Sequence, residues 1–247
     1  MEDSQHAVQF GYSGSLGPQN WGSLSPAFAM CSTGKSQSPV NIVKDEAALD
    51  KNLKPLRRFY QAANATLVNN GFNIGVKYES NSGWLIVDGK NYSLVQMHWH
   101  SPSEHTIDGQ RHPLELHLVH KTSEGDITVI GILFQYGDAD PVLTKLQKSL
   151  KRLAEESAGN EQAHIPLGVI DTKQLRRKTR KYYRYVGSLT TPPCWENVIW
   201  NVLGKVRTIS KNQVAALKAP LKRVFWENSR PTQPLNGRKI NLYKELN

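Results

Sequence analysis

The chain has 247 residues and a formal net charge of +10, with 38% hydrophobic and 21% charged residues. This length fits one large domain or two small ones, and because no change in composition marks a boundary, we expect a single domain over residues 1–247. No run of about 18 apolar residues occurs, which excludes a transmembrane helix. The N-terminal segment 1–6 is polar. If the protein is exported, we expect its signal or transit peptide to be absent from this chain.

Most of the chain between Ala65 and Val206 has the pattern of short β-strands. The segments are rich in β-branched and aromatic residues, and glycine-containing turns separate them. They cover residues 65–68, 74–78, 84–87, 92–100, 114–120, 127–136 and 197–206. This pattern predicts a mainly β fold with a mostly antiparallel sheet.

Helices are few and are expected at the periphery. Asp140 and Pro141 form a typical N-cap and first-turn pair, and leucines then repeat at helical spacing to about Glu156. Ser210 marks the start of a second helix, whose apolar positions are Val214, Leu217 and Leu221. We expect both helices to pack against the sheet.

Six of the eight histidines lie within residues 96–120. Side chains alternate along a strand, so His98 and His100 point to the same face. The segment 114–120 alternates in the same way and places His117 on one face. Antiparallel pairing of the two strands would bring His117 beside the first two histidines.

Three imidazoles that converge with no obvious fourth protein ligand are typical of a catalytic zinc site, which leaves one position open. A closed structural site would usually contain cysteines, but Cys31 and Cys194 have no CxxC spacing. Gln96 and Glu115 each precede a histidine by two residues and share its face, where they could orient its ring. The alternative is that these histidines are hydrogen-bonded core or surface groups.

Several motifs spread along the chain identify a family resemblance. They are HWHSPSEHT at 98–106, ELHLVH at 115–120 and GSLTTPP at 187–193. Together they resemble the alpha-class carbonic anhydrases, and the first is most similar to the plant members, the relatives of dioscorin and nectarin. The resemblance extends from Gly11 to Asn236 in the family's order.

This resemblance implies a large twisted central sheet with Zn²⁺ at the bottom of a conical cleft, held by His98, His100 and His117. It also implies reversible hydration of carbon dioxide to bicarbonate and a proton by zinc-bound hydroxide. Thr190 would accept the hydroxide proton and pass its own proton to Glu104. Sulfonamides and anions are expected as inhibitors.

The resemblance also assigns the walls of the cleft. The apolar wall that receives carbon dioxide would comprise Val119, Val129, Leu189, Val198 and Trp200, residues that are equally compatible with an ordinary core. Tyr12, Asn70 and Thr191 match positions on the polar wall, and Thr191 also borders the substrate pocket.

One departure from the family concerns proton export. Phe72 occupies the position where many fast members carry a histidine that shuttles protons, and Gly75 replaces a residue that is commonly polar. Because phenylalanine cannot titrate, regeneration would depend on buffer, on water or on another group such as His6. We therefore expect hydration to be slowed.

The two cysteines permit one intramolecular bridge. In secreted relatives the matching positions form a disulfide, which predicts a Cys31–Cys194 bond, while two buried free thiols remain the alternative. Asn64 and Asn91 begin glycosylation sequons. We therefore expect a secretory, extracellular or oxidising lumenal location, such as the thylakoid lumen.

Seven basic residues and no acidic residue occur between Lys173 and Arg184. Such a run could bind nucleic acid, but no nucleic-acid module accompanies it, so we expect a solvated face and no nucleic-acid partner. A weak attraction for bicarbonate or an acidic surface stays open. We expect a monomer or a dimer.

Two other functions stay open. The chain could be a weakly active or inactive zinc-binding storage or interaction protein on the same scaffold, as the dioscorins illustrate for the family. It could also hydrolyse esters as a side activity of the same zinc site.

Overall fold

The computed structural model describes residues 9–245 except residues 80, 81, 159, 161, 162 and 177. His6 lies outside the described residues. The helices are α1 (Trp21–Leu24), α2 (Met30–Thr33), α3 (Pro141–Ser157) and α4 (Lys211–Lys218). The strands are β1 (Asn41–Ile42), β2 (Ala48–Leu49), β3 (Arg57–Arg58), β4 (Ala63–Asn69), β5 (Ile74–Tyr78), β6 (Trp84–Val87), β7 (Lys90–His100), β8 (Thr106–Ile107), β9 (Gln110–Arg111), β10 (Leu114–Lys121), β11 (Ile127–Tyr136), β12 (His164–Ile170), β13 (Lys181–Ser188), β14 (Glu196–Leu203), β15 (Arg207–Ile209) and β16 (Asn241–Lys244).

A sheet of 13 strands dominates the described structure, in the order β12-β4-β5-β7-β10-β11-β14-β13-β16-β2, with β3, β6 and β15 paired at its sides. Most neighbours are antiparallel, whereas β14 and β15 each run parallel to β11, and β2 runs parallel to β16. The predicted mainly β fold with a large, mostly antiparallel sheet and few helices is therefore confirmed.

The two faces of the sheet carry different side chains, and β10 shows why. Leu114, Leu116 and Leu118 belong to a large apolar core that also receives the buried leucines of α3. The intervening Glu115 and His117 point to the other face, yet they are also buried. Burial of charged and polar groups in mid-sheet requires hydrogen-bonding partners, and these partners build the site described below.

The predicted helices are present. The Asp140 carboxylate accepts hydrogen bonds from the backbone N–H groups of Val142 and Leu143, which caps α3 as its sequence predicts. The second helix starts after Ser210 with a capping box, but it ends at Lys218, so Leu221 packs from beyond the helix.

The strand predictions missed two long strands of the central sheet, β12 and β13, of which β13 lies in the basic run. The predicted strand 197–206 ends at Leu203, because a turn precedes β15. β13 was not predicted, although Tyr182, Tyr183, Tyr185 and Val186 are residue types that favour a strand. Arg184 on β13 is only 9% exposed and donates hydrogen bonds to Asn201 and Asp88. The expectation of a solvated face is therefore wrong for Arg184.

The predicted disulfide is confirmed: Cys31 at α2 is bonded to Cys194 in the loop after β13. The Gln37 side-chain amide donates a hydrogen bond to the Cys194 carbonyl at 3.0 Å, which fixes the same loop a second time. Among the described residues, no helix has the length and apolar character needed to cross a membrane.

We expect the double substitution Cys31→Ser with Cys194→Ser to lower the melting temperature, because the bond closes a loop with a sequence separation of 163. In the chain-entropy model a loop of this size contributes roughly 5 kcal/mol, which is an upper value. Thermal unfolding followed by circular dichroism, with and without reductant, measures the effect. Reductant should not change the melting of the double-serine protein. Identical melting of oxidised and reduced natural protein would contradict the prediction.

Candidate metal centre

Three histidines converge on one face of the central sheet. β7 and β10 are antiparallel neighbours, and their register pairs His98 with His117. The potential ligand atoms of His98, His100 and His117 all lie within 4.8 Å of one another. His100 and His117 are buried, and His98 is partly exposed. The strand alternation in the sequence therefore predicted correctly that these three histidines lie together.

In two of the histidines, the ring nitrogen that points away from the other imidazoles, called the outer nitrogen here, contacts the side chain two residues earlier in the sequence. His98 Nδ1 lies 2.8 Å from Gln96 Oε1, and His117 Nε2 lies 2.9 Å from Glu115 Oε1. Both partners accept hydrogen bonds, so each outer nitrogen carries the proton. The inner nitrogens, Nε2 of His98 and Nδ1 of His117, then present lone pairs.

His100 has a partner that the sequence did not indicate. Its Nδ1 lies 2.6 Å from the backbone carbonyl of Asn228, and the Asn228 side chain accepts a hydrogen bond from the Ser101 N–H. No local pattern could reveal this contact, since 128 positions separate the two residues. The carbonyl fixes the proton of His100 on Nδ1, which leaves Nε2 as the third inward nitrogen.

The inward nitrogens fit a metal ion. The inward nitrogens His98 Nε2 and His117 Nδ1 lie 3.3 Å apart. His100 Nε2 is buried without a hydrogen-bond partner among the described residues. Burial lowers the pKa of His100 to about 4 and also lowers those of His98 and His117. Three neutral imidazoles with facing lone pairs form the donor set that zinc prefers.

The Glu115 carboxylate links these ligands to the rest of the site. Besides His117, it accepts hydrogen bonds from the backbone N–H groups of Glu104 and His105 at 2.8 Å and from His105 Nδ1 at 2.7 Å. Burial alone would raise the pKa of Glu115, but His105 and His117 lower it well below its usual range. A Cβ at Gly131 would lie 2.9 Å from the carboxylate, so this position needs glycine.

His105 extends the network and was missed from the sequence. Its Nε2 lies 2.7 Å from the Tyr185 hydroxyl, which lies 2.8 Å from Ser38 Oγ. Ser38 Oγ in turn accepts the Ser188 N–H at the start of the loop that carries Thr190. His105 also belongs to a second His and Glu cluster that could hold a metal ion. Both ring nitrogens of His105 already make hydrogen bonds, one with Glu115 and one with Tyr185. We therefore assign this second cluster to hydrogen bonding and not to a metal ion.

Glu104 is fully buried beside the histidines. Its Oε1 accepts the backbone N–H of Arg230 at 2.9 Å, whereas Oε2 has no hydrogen-bond partner among the described residues. Oε2 lies 3.6 Å from His100 Nε2 and 3.9 Å from His117 Nδ1. Burial raises the pKa of Glu104 to about 7, and His117 and the nearby Thr190 hydroxyl oppose this shift.

The Arg230 side chain was also missed from the sequence. Its buried guanidinium donates hydrogen bonds to Gln37 Oε1 and to the backbone carbonyls of Ser38 and Cys31. It lies 5.5 Å from the Trp21 ring centroid, and burial lowers its pKa to about 10. One side chain therefore connects the N-terminal segment to the site.

The residues assigned to the apolar wall lie together in a second core, on the same face as the histidines. Val119, Val129, Val198 and Trp200 are buried in it, with Leu189 packed against it. On the polar side, the Tyr12 hydroxyl is buried without a partner among the described residues. Asn70 donates a hydrogen bond to Asn73 Oδ1, and Thr191 is partly buried.

Phe72 is half-buried, and its ring centroid lies 4.9 Å from that of Phe10. Gly75 is paired with His98 across β5 and β7, and a Cβ there would lie 3.2 Å from Asn70 Nδ2. The polar side chain that is common at this position would therefore crowd Asn70.

Comparisons with known proteins agree with this geometry. The eukaryotic-type carbonic anhydrase family profile matches residues 16–244. Alpha carbonic anhydrase 7 of Arabidopsis thaliana is 42% identical over 230 residues, covering 93% of this chain and 82% of that protein. The crystal structure of dioscorin complexed with ascorbate is 38% identical with a TM-score of 0.92, covering 96% of this chain and 99% of that one.

A second solved structure extends the comparison. The alpha-carbonic anhydrase from Thermovibrio ammonificans, in complex with the inhibitor sulfanilamide, has a TM-score of 0.84 and 38% identity, covering 95% of this chain and 99% of that one. The similarity to plant members expected from the sequence is also confirmed. The chain belongs to the alpha, or eukaryotic-type, carbonic anhydrase family.

Proposed function

We propose that this protein is a zinc-dependent carbonic anhydrase, which catalyses the reversible hydration of carbon dioxide to bicarbonate and a proton. The observation that carries the proposal is the convergence of three neutral imidazoles whose outer nitrogens are all committed to hydrogen-bond acceptors. His98 Nε2, His100 Nε2 and His117 Nδ1 would hold the ion. Zinc bound in this way lowers the pKa of a water ligand to about 7, a magnitude known from carbonic anhydrase itself.

Glu104 and Thr190 would orient the reacting group. Because Oε1 of Glu104 already accepts the Arg230 N–H, Oε2 is the oxygen left to accept the Thr190 hydroxyl proton. A hydroxyl has one proton, so a Thr190 that donates to Glu104 can only accept on its other side. Thr190 and Glu104 together would therefore allow a neighbouring group to contact the Thr190 hydroxyl only as a hydrogen-bond donor. This fixes the orientation of that group.

The two walls would divide the substrate from water. Carbon dioxide is apolar, so we assign it to the buried surface formed by Val119, Val129, Leu189, Val198 and Trp200. The Tyr12 hydroxyl, together with Asn70 and Thr191, would order water on the opposite side. Sulfonamides and small anions would inhibit by binding at the ligand position of the metal that the three histidines leave open.

Proton export would limit turnover, since Phe72 has no titratable group and packs against another phenylalanine. This feature also favours a second candidate function, a weakly active zinc-binding storage or interaction protein. The dioscorin structure, whose TM-score is 0.92, is the comparison that makes this candidate worth testing. A quantitative hydration assay separates the two functions.

We place the protein in the secretory route, outside the cell or in an oxidising lumen such as that of the thylakoid. The Cys31–Cys194 bond is typical of oxidising compartments. Both sequon asparagines, Asn64 and Asn91, have exposed side chains, so glycans could be attached without disturbing the core. Glycosidase treatment of protein from the native source would reveal them as a mass shift.

Replacing His117 with alanine should abolish stoichiometric zinc binding and carbon dioxide hydration, because one of three ligands is lost. His164, which is exposed on β12, provides the matched control. His164→Ala should keep one zinc per chain and full activity. Elemental analysis after dialysis and stopped-flow hydration measure both properties. Full zinc occupancy in the His117→Ala protein would reject the ligand assignment, whereas full occupancy without hydration in the natural protein would favour the storage function.

Replacing Phe72 with histidine should raise turnover at low buffer concentration and leave kcat/KM for carbon dioxide nearly unchanged. The reason is that the added imidazole can export protons, while the residues around the metal site are untouched. Phe72→Leu is the matched control, since it changes the side chain without adding a titratable group.

In the natural protein, a high concentration of an imidazole buffer should increase turnover for the same reason. Stopped-flow kinetics over a series of buffer concentrations measures it. Turnover that is independent of buffer and gains nothing from Phe72→His would show that another group already exports the proton.

A further inference from the structure

Two aromatic side chains that the proposed function does not use lie exposed beside the central sheet. The rings of Phe59 and Trp84 are stacked, with centroids 5.6 Å apart and planes inclined by 25°. Phe59 is 39% exposed and Trp84 is 40% exposed. The guanidinium of Arg57 lies 5.4 Å from the centroid of the Phe59 ring. An ordered aromatic pair at the surface, unlike a single exposed apolar residue, indicates an interaction site.

Strand pairing places the glycosylation sequon at residues 91–93 beside this aromatic pair. Across β6 and β7, Trp84 is aligned with Ser93, and Ile86 is aligned with Asn91. Residues that are aligned in an antiparallel pair have their side chains on the same face of the sheet. Trp84, Asn91 and Ser93 are all exposed. The indole and the sequon therefore share one solvent-facing surface.

The second face of the Trp84 indole is directed towards the sequon. Phe59 directly follows β3, and its backbone N–H donates a hydrogen bond to the Trp84 carbonyl at 2.8 Å. β6 lies between β3 and β7. Because the two rings stack on the β3 side, the other face of the indole is directed towards β7. Ser93, which is aligned with Trp84 on β7, is too small to cover an indole ring.

Asn91 comes within reach of this indole face when it carries a glycan. Asn91 is aligned with Ile86, which lies two residues from Trp84 on the same face of β6. Diagonal neighbours of this kind are about 7–8 Å apart, a distance that long side chains can span. An asparagine extended by one sugar ring is longer than an arginine. The first sugar of a glycan on Asn91 can therefore contact the indole.

The surfaces of a sugar ring and an indole are chemically complementary. One face of an N-acetylglucosamine ring presents C–H groups, and the face of an aromatic ring carries partial negative charge. Contact between them removes apolar surface from water. The sugar hydroxyls at the ring edge stay in water, so no polar group is buried without a partner. A sugar thus suits an aromatic surface on an otherwise polar exterior.

We infer that Asn91 is an N-glycosylation site whose first sugar packs on the open face of the Trp84 indole. The reaction joins the Asn91 amide nitrogen to the anomeric carbon of an oligosaccharide carried on a lipid diphosphate. The bond from that carbon to the diphosphate breaks with its electron pair on the diphosphate oxygen, and the amide nitrogen loses one proton. The inference rests on the proposed secretory location, but it does not depend on the metal centre.

The other sequon provides a matched comparison. Asn64 on β4 is also exposed, but its neighbour across β12 is Val169. A glycan on Asn64 would therefore lie beside an aliphatic side chain in place of a stacked ring pair. We expect a glycan to stabilise the fold more at Asn91 than at Asn64.

The test uses the full chain secreted by a eukaryotic host, which supplies the lipid-linked oligosaccharide. Peptide mass spectrometry measures the occupancy of Asn91, and we expect a glycan there. Asn91→Gln should lower the melting temperature by about 2–4 °C, since one aromatic contact is lost. In the presence of Trp84→Leu, the same substitution should shift melting by less than about 1 °C. Trimming the glycan to one sugar with endoglycosidase H should keep the stability of the untrimmed protein.

Two controls separate the packing of the glycan from other effects. Asn64→Gln should shift melting equally with and without Trp84→Leu. In protein from a bacterial host that attaches no N-glycans, Asn91→Gln should leave melting unchanged. The inference is overturned if Asn91 is unoccupied in the secreted protein, if Trp84→Leu does not reduce the effect of Asn91→Gln, or if the bacterial protein shows the same shift. Carbon dioxide hydration, measured on the same samples, reports separately on the proposed function.

Discussion

The buried carboxylate of Glu115 is the interaction on which the site depends. It has no exposed surface, and a carboxylate in that position is tolerated only when its charge is well solvated by the protein. Four N–H groups fulfil this role, two from the backbone and two from the rings of His105 and His117. The same bonds fix the tautomer of a ligand and position the backbone of Glu104. Removing the charge would therefore disturb the metal ligands and the Thr190 partner together.

A second constraint connects this centre to distant parts of the chain. Arg230 holds the N-terminal segment through three acceptors, and its backbone N–H binds Glu104. The disulfide and the contact of Ser38 with Ser188 fix the loop that carries Thr190. The polar groups of the site are thus held by a continuous network, which favours a rigid arrangement over one assembled when a ligand binds.

Local patterns in the sequence predicted the parts of the site that strand geometry controls. Alternation along β7 and β10 placed His98, His100 and His117 together, with Gln96 and Glu115 beside them. The residues that it missed come from long-range packing. The Asn228 carbonyl, His105 and the Arg230 guanidinium act through contacts that no spacing reveals. Similarly, β13 was not predicted because the basic residues of its segment masked Tyr182, Tyr183 and Tyr185.

The central claim is that the inward nitrogens of three neutral imidazoles hold zinc. A crystal structure of the purified protein, with anomalous diffraction data collected on both sides of the zinc absorption edge, tests it most directly. We predict one anomalous peak per chain, about 2.0–2.1 Å from His98 Nε2, His100 Nε2 and His117 Nδ1. A peak beside His105 and Glu115, or the absence of any peak in protein supplied with zinc, would contradict it.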